Sequence, residues 1–234
     1  MKFTPIASGS SGNCYHLTSG SGSTLLIEAG ISFKKIQRAL NFKTSDIEGC
    51  LISHSHKDHC LAVTVKDLLR SGIDCYMLES TRENLGIEHH RIHIIEPKVQ
   101  FRIGDFLILP FDTVHDVENV GFLIQDKHRK RFLYVTDTPY VKYRFNGINI
   151  LAVECNYSDE LLEENILKGI VPEAMRERLR RSHFSLKNCK EFLKSNDLKT
   201  VDEIWLIHLS NNNSDAEQFK TEIERLTGKP VYIA

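Results

Sequence analysis

The sequence lacks the features that mark membrane-spanning and secreted proteins. No apolar run approaches the ~20 residues of a transmembrane helix, because charged residues interrupt every long hydrophobic stretch. The six cysteines include no Cys-x-x-Cys pair, and no apolar leader follows Met1. Neither a disulfide framework nor a secretory signal is therefore expected. We expect reduced cysteines, no membrane partner and a cytoplasmic location.

The sequence also lacks an excess of charge of either sign. Lysine and arginine total 30 against 31 for aspartate and glutamate, which gives a formal net charge of −1. Proteins that track long nucleic acids usually carry a basic excess. The balance favours a small substrate over a long nucleic acid as the partner.

The remaining composition is that of an ordinary globular protein. Hydrophobic residues make up 41% and charged residues 26% of the 234 positions, which excludes a disordered, collagen-like or coiled-coil chain. This length suits one folded unit. We expect a single domain over residues 1–234.

Turn signals and periodicity predict alternating strands and helices. Gly/Ser-rich turns at residues 8–13 and 19–23 separate short strands at the start of the chain. Apolar runs predict buried strands at 50–53 and 204–208, and helical periodicity predicts helices at 61–70, 159–168, 172–180, 185–195 and 214–226. Strands interleaved with helices predict an α/β protein with two packed sheets and helices outside, a four-layer αββα sandwich.

The strongest functional signal is SHSHKDH, residues 53–59, between a predicted strand and a predicted helix. Imidazole and carboxylate groups suit divalent ions such as zinc, and a spacing of two places His54 and His56 on one side of the chain. Asp58 and His59 are expected to point elsewhere. Two pairs facing different ways suit two metals about 3.5–4 Å apart. The alternative, a solvated His-rich loop, does not explain so specific a spacing at a strand-to-helix junction.

This motif resembles the His-x-His-x-Asp-His signature of the metallo-β-lactamase fold superfamily, and the resemblance extends along nearly the whole chain. It implies an αββα sandwich with further ligands at later strand ends, where this sequence has His115, Asp137 and His208. It implies two divalent ions, zinc or alternatively manganese or iron. The implied ligands of one ion are His54, His56 and His115, those of the other are Asp58, His59 and His208, and Asp137 bridges.

The later candidates have alternative interpretations when taken singly. An isolated histidine such as His115 is more often hydrogen-bonded or on the surface than a ligand, and Asp137 before Thr-Pro has the pattern of a helix cap. Where the family usually has Asp-Ala-Gly after an early strand, this chain has Glu28-Ala29-Gly30. The function of Glu28 therefore stays open at this point.

Within the superfamily, ASGSSGN, the TDT turn and HLSNNNSD resemble the YycJ/WalJ-type branch and small phage enzymes that degrade cyclic nucleotides in anti-Pycsar defence evasion. Glu154 in LAVECNY and His183 in RSHFSLKNC are similar to a proton-handling pair in transfer-RNA 3′-processing relatives. The resemblance thus implies phosphodiester hydrolysis with Asp58, Glu154 and His183 as the catalytic set, where His183 protonates the leaving oxygen. The alternative is that His183 caps the following helix.

Two enzymatic hypotheses follow from these features. The first is a dinuclear phosphodiesterase that opens a cyclic mononucleotide to its linear monophosphate, as a phage anti-defence enzyme, and near-neutral charge favours it. The second is a YycJ-like DNA exonuclease, supported by the arginine-rich segment 176–181. That segment is also typical of a solvated helix face. A third, non-enzymatic hypothesis is a metal-bound nucleotide sponge. The family resemblance further implies a homodimer in the bacterial or phage-infected host cytosol.

Overall fold

The computed structural model describes all 234 residues, which divide into two compact units. Unit 1 comprises Met1–Asp112 and Val117–Lys130, and unit 2 comprises Thr113–Asp116 and Arg131–Ala234. None of the helices combines the length and the apolar character that crossing a membrane requires. All six cysteines are buried and form no disulfide.

Unit 1 contains a six-stranded mixed sheet. Its strands are β1 (Lys2–Ala7), β2 (Cys14–Thr18), β3 (Thr24–Ile27), β4 (Ile47–Leu51), β5 (Cys75–Met77) and β6 (Ile92–Ile94), in that order across the sheet. The first three strands pair antiparallel, and β3 to β6 pair in parallel. The chain reaches each parallel strand through a crossover that contains α1 (Phe33–Ala39), α2 (Ala62–Arg70) or α3 (Glu79–Leu85).

The core of unit 1 forms where helices cover this sheet. Buried Leu26 and Cys50 from β3 and β4 pack with Val65 and Leu68 from α2 in one hydrophobic cluster. Residues three apart on α2 share one helix face, which is the face turned toward the sheet. A second, antiparallel set in unit 1 comprises β7 (Phe101–Ile103), β8 (Phe106–Asp112) and β9 (Val120–Gln125).

Unit 2 contains four parallel strands and four helices. The strands are β10 (Arg131–Val135), β11 (Ile150–Glu154), β12 (Glu203–Ile207) and β13 (Val231–Ile233), paired in sequence order. The helices are α4 (Asp159–Leu167), α5 (Met175–Ser182), α6 (Leu186–Ser195) and α7 (Ala216–Thr227). Every residue of β11 is buried, as its near-continuous apolar sequence predicts for a strand covered on both faces.

Three differences from the sequence-based elements have local causes. The predicted helix at 172–180 begins only at Met175, because the preceding residues form turns in which Met175 and Arg176 donate to the carbonyls of Pro172 and Glu173. The predicted strand at 50–53 is Ile47–Leu51 in the structure. Helix α3 was not predicted, because its sequence ESTRENL has no apolar stripe and only Thr81 is buried.

Candidate metal centre

The SHSHKDH segment begins just after β4 and forms a tight turn. The backbone N–H groups of His59 and Cys60 both donate to the carbonyl of His56, at 2.9 and 2.7 Å. The ring of His54 lies 4.8 Å from that of His56 and 4.3 Å from that of His59, measured between centroids. Asp58 Oδ2 lies 3.6 Å from His59 Nε2. The turn therefore brings His59 back beside His54, whereas the sequence pattern placed it on another side.

Neighbouring side chains orient two of these imidazoles. Ser53 Oγ lies 2.9 Å from His54 Nδ1, and Glu28 Oε1 lies 3.4 Å from His59 Nδ1. An oxygen facing Nδ1 favours the proton on that nitrogen and leaves the lone pair on Nε2, the arrangement typical of metal-binding histidines. Asn13 Nδ2 lies 3.1 Å from His59 Nε2, where the amide group can donate to the lone pair. The donor chemistry of this cluster fits a divalent ion.

Glu28 performs a supporting function that its position in the sequence left open. Its carboxylate is fully buried and accepts a hydrogen bond from the Ser53 backbone N–H at 3.2 Å while the other oxygen faces His59. The longer side chain thus reaches the histidine segment from the end of β3. Glu28 contacts both ends of the histidine-bearing turn, at Ser53 and His59.

Gly30 allows this turn to pack closely against the loop that precedes β2. The Asn13 backbone N–H and side-chain amide both donate to the Asp58 carbonyl, at 2.7 and 3.1 Å. A Cβ atom added to Gly30 would lie 1.8 Å from that carbonyl oxygen and 2.8 Å from the Asn13 nitrogen. No side chain fits at this position without displacing the backbone of Asp58.

Gly30→Ala is therefore expected to displace the histidine-bearing turn. Overpacking of this kind costs about 1–3 kcal/mol in the free energy of unfolding, and we expect bound metal to fall as well. Chemical denaturation and elemental analysis measure the two effects. Gly72→Ala is the control, because nothing lies within 4 Å of the added Cβ and only the φ of +81° opposes it. Wild-type metal content in the Gly30 variant would contradict this account of the turn.

Unit 2 brings together the other predicted site residues. Four side chains form a cluster in which their possible metal-binding atoms all lie within 4.8 Å of one another. They are Asp137, Glu154, His183 and His208. His115 Nε2 lies 3.7 Å from Asp137 Oδ2, and its Nδ1 lies 3.0 Å from the carbonyl of Ser182. Because a carbonyl only accepts, His115 Nδ1 carries the proton and its Nε2 presents the lone pair.

The carboxylate of Glu154 links two histidines. Its Oε1 lies 2.6 Å from His183 Nδ1 and 3.0 Å from His208 Nδ1, and the side chain is fully buried. Its Oε2 accepts backbone hydrogen bonds from Thr138 at 3.2 Å and Phe184 at 3.1 Å. Glu154 therefore fixes both rings and joins the end of β11 to the segments that carry Asp137 and His183.

The charges within this cluster perturb its pKa values. Burial opposes the ionised form of Glu154, but the charge of His183 and the hydrogen bonds from His183 and His208 outweigh it and lower the pKa of Glu154. Burial likewise opposes protonation of His183, but the adjacent Glu154 carboxylate raises the pKa of His183 above its ordinary value. For His115, burial outweighs the attraction of Asp137 and lowers the pKa. His115 is thus suited to bind metal as neutral imidazole, and His183 to carry a proton.

Three of these residues adopt backbone conformations that ordinary side chains avoid. Glu28, Asp137 and His208 have φ angles of 67°, 47° and 53°. Such left-handed conformations cost on the order of 1–3 kcal/mol and cluster at functional sites. Each residue follows a buried strand of its unit by one or two positions. In each unit, the bend directs the side chain away from the strand that precedes it.

The structure decides two of the alternatives left by the sequence. Helix α6 is capped by Ser185, whose Oγ accepts from the Asn188 backbone N–H at 3.1 Å, so His183 is not the side chain that caps it. Asp137 caps no helix, because the next helix, α4, begins only at Asp159. Asn156 was not anticipated: its side chain donates to the His208 carbonyl at 2.9 Å. No motif reveals this contact, because it joins segments 52 residues apart.

Comparison with known proteins identifies the family. Residues 23–209 match the family model described as "Beta-lactamase superfamily domain". The chain is 34% identical over 232 residues to exodeoxyribonuclease WalJ of Streptococcus pneumoniae serotype 2, with 93% of this chain and 84% of the relative covered. It is 25% identical to exodeoxyribonuclease YycJ of Bacillus anthracis over 242 residues, which cover 97% of this chain and 89% of the relative.

A solved structure supports the fold. The metallo-β-lactamase fold protein YhfI from Bacillus subtilis matches 99% of this chain and 95% of its own, with a TM-score of 0.74 at 17% identity. The α/β metallo-β-lactamase fold expected from the sequence is thereby confirmed, as is the likeness to the YycJ/WalJ branch. The His and Asp clusters fit the metal-dependent hydrolases of this fold. The chain therefore belongs to the family described as "Beta-lactamase superfamily domain".

Proposed function

We propose that this protein is a metal-dependent exodeoxyribonuclease, which hydrolyses phosphodiester bonds starting from a DNA end. Two relatives that cover nearly the whole chain are named exodeoxyribonucleases. They favour the DNA hypothesis over hydrolysis of cyclic mononucleotides as a phage anti-defence activity, which the sequence analysis placed first. Net charge of −1 argues only against an extensive basic surface, and a DNA end needs few phosphate contacts.

The proposed metal ligands are those implied by the family resemblance. They are His54, His56 and His115 for one ion, Asp58, His59 and His208 for the other, and Asp137 as the bridge. Their nitrogen and oxygen donors suit zinc, and also manganese or iron. Two such ions would activate a water molecule for attack on phosphorus and neutralise charge on the phosphate oxygens. Zinc, the number of ions and Asp58 as a catalytic residue stay predictions.

The Glu154–His183 pair is the observation that carries the phosphodiester assignment. When the P–O bond to the leaving sugar breaks, the departing oxygen needs a proton, because an alkoxide is a poor leaving group. With Nδ1 held by Glu154 at 2.6 Å, His183 has Nε2 as the atom that delivers this proton. Its side chain is 14% exposed, which leaves an edge of the ring accessible. General acid catalysis of this kind contributes roughly 10²–10⁴-fold.

The substrate class is tested by incubating metal-loaded protein with cyclic mononucleotides, cyclic dinucleotides and a linear DNA duplex. We expect nucleotides to be released from DNA, at a rate that falls as salt weakens phosphate contacts. His56→Ala is the inactive control. Chromatography separates the products. Conversion of cyclic mononucleotides with no degradation of DNA, at a rate insensitive to moderate salt, would contradict this proposal and support the first hypothesis.

Several other expectations stay predictions. They are the single domain over residues 1–234, the homodimer and the cytoplasmic location. Under the proposed function the partner is DNA, in place of the small nucleotide substrate expected from the charge balance.

A further inference from the structure

The arginine-rich helix α5 has two different faces. On one, Arg176 binds Glu163 through two nitrogens at 3.0 and 2.7 Å, and Arg180 binds Asp159 and Glu163 at 3.2 and 3.1 Å. Both acidic partners belong to α4. These two arginines, four residues apart, are therefore used to pack α5 against α4.

Arg178 and Arg181 lie on the other face, three residues apart. Arg178 approaches Asp116 only to 3.7 Å, and Arg181 approaches Glu177 only to 3.8 Å. Their side chains are 58% and 82% exposed. Ion pairs this long and this exposed are weak, so both guanidinium groups can exchange their partner for a phosphate.

These arginines line a cavity of about 620 Å³ in unit 2. Arg180 also lines the cavity, although its guanidinium group is bound to Asp159 and Glu163. The remaining wall comes from the two segments that carry His115 and Asp137, and its residues are Val114, His115, Asp116, Pro139, Tyr140 and Ser182. A volume of this size is typical of small-ligand sites. The cavity therefore joins a basic helix face to a proposed metal ligand.

Tyr140 gives the cavity an aromatic surface. Its side chain is 54% exposed, although the backbone around it is firmly held: the Tyr140 carbonyl accepts from Thr138 Oγ1 at 2.8 Å, and the Pro139 carbonyl accepts from Asn188 at 3.0 Å. An exposed aromatic ring on a rigid loop beside arginines is the arrangement by which proteins bind single-stranded nucleic acid, with bases stacked on rings and phosphates held by cations.

We propose that this cavity binds the single strand of a DNA end, with Arg178 and Arg181 contacting phosphates and Tyr140 stacking on a base. The proposal rests on the proposed function, because it assigns the substrate contacts beyond the reacting phosphate. A cyclic mononucleotide has one phosphate and one base, and so cannot engage two separate arginines through separate phosphates. The cavity thus selects a strand over a cyclic nucleotide.

Binding is measured by fluorescence anisotropy with metal-loaded protein and a labelled single-stranded oligodeoxythymidylate whose phosphorothioate links resist hydrolysis. For Arg178→Gln and Arg181→Gln we expect Kd to rise about tenfold each at low salt. The slope of log Kd against log salt should fall by about 0.7 for each lost contact. Tyr140→Ala should also raise Kd about tenfold but leave the slope unchanged, because stacking involves no phosphate.

Matched variants separate these effects from damage to the helix. Arg176→Gln removes the same charge from the same helix. Because Arg176 faces α4, both Kd and its salt dependence should stay as in the wild type. Replacing Arg178 and Arg181 by lysine should retain most of the slope. Wild-type Kd and slope in the double glutamine variant would overturn the proposal. Degradation of ordinary DNA by the wild type is measured separately. Binding of the strand without degradation would contradict the proposed function but not the proposal for this cavity.

Discussion

Asp137→Asn is expected to lower kcat on DNA by about 10³-fold or more while the fold stays intact. The proposed ions contribute several kcal/mol of transition-state stabilisation, and each 1.36 kcal/mol corresponds to tenfold in rate. Asparagine keeps the shape of the side chain and tolerates the left-handed conformation that Asp137 adopts at φ 47°. It removes the negative charge of the proposed bridging ligand.

The measurement combines steady-state kinetics with elemental analysis of the purified variant. Asp197→Asn makes the same chemical change at an exposed position and should retain wild-type activity and metal content. Circular dichroism and thermal denaturation verify that both variants are folded. A fully active Asp137→Asn protein with wild-type metal content would refute the bridging assignment.

His183→Ala is expected to lower kcat on DNA by roughly 10²–10⁴-fold while the metals stay bound. The same variant should hydrolyse the p-nitrophenyl ester of thymidine monophosphate almost as fast as the wild type, because p-nitrophenolate leaves without a proton. His90→Ala, at an exposed histidine, is the control. An equal loss on both substrates would mean that His183 acts on the structure of the site and not as an acid.

Glu154→Gln tests whether Glu154 orients the His183 ring and raises the pKa of His183. Glutamine retains an oxygen for the backbone N–H groups of Thr138 and Phe184 but loses the negative charge. His183 donates only when protonated, so the rate falls as pH rises through its pKa. Because the Glu154 carboxylate raises the pKa of His183, the variant should lose activity at lower pH than the wild type. An unchanged pH profile would leave Glu154 with a purely structural function.

The sequence predicted most of the secondary structure, whereas the metal ligands it indicated stay predictions. Apolar runs such as β11 and the helical spacing of α6 are local signals, and the structure contains both elements. The SHSHKDH pattern likewise indicated a cluster of histidines, and the structure places the rings of His54, His56 and His59 together. Helix α3 escaped prediction because its residues form no apolar face.

The sequence could not predict how the site residues are supported. The contacts of Glu28 with Ser53 and His59, and of Glu154 with His183 and His208, join segments separated by 25 to 54 residues. Likewise, only the three-dimensional arrangement shows that α4 supplies the acidic partners of Arg176 and Arg180. Such partners depend on which chain segments the fold brings together, and local spacing carries no information about them.

One assay tests directly whether the protein hydrolyses DNA only when metal is bound and only from a free end. Chelator-stripped and metal-reconstituted protein are each incubated with linear single-stranded DNA and with the same strand closed into a circle. We expect reconstituted protein to release nucleotides from the linear strand only, and stripped protein to be inactive until zinc or manganese is restored. Cleavage of the closed circle, or full activity of the stripped protein, would contradict the account.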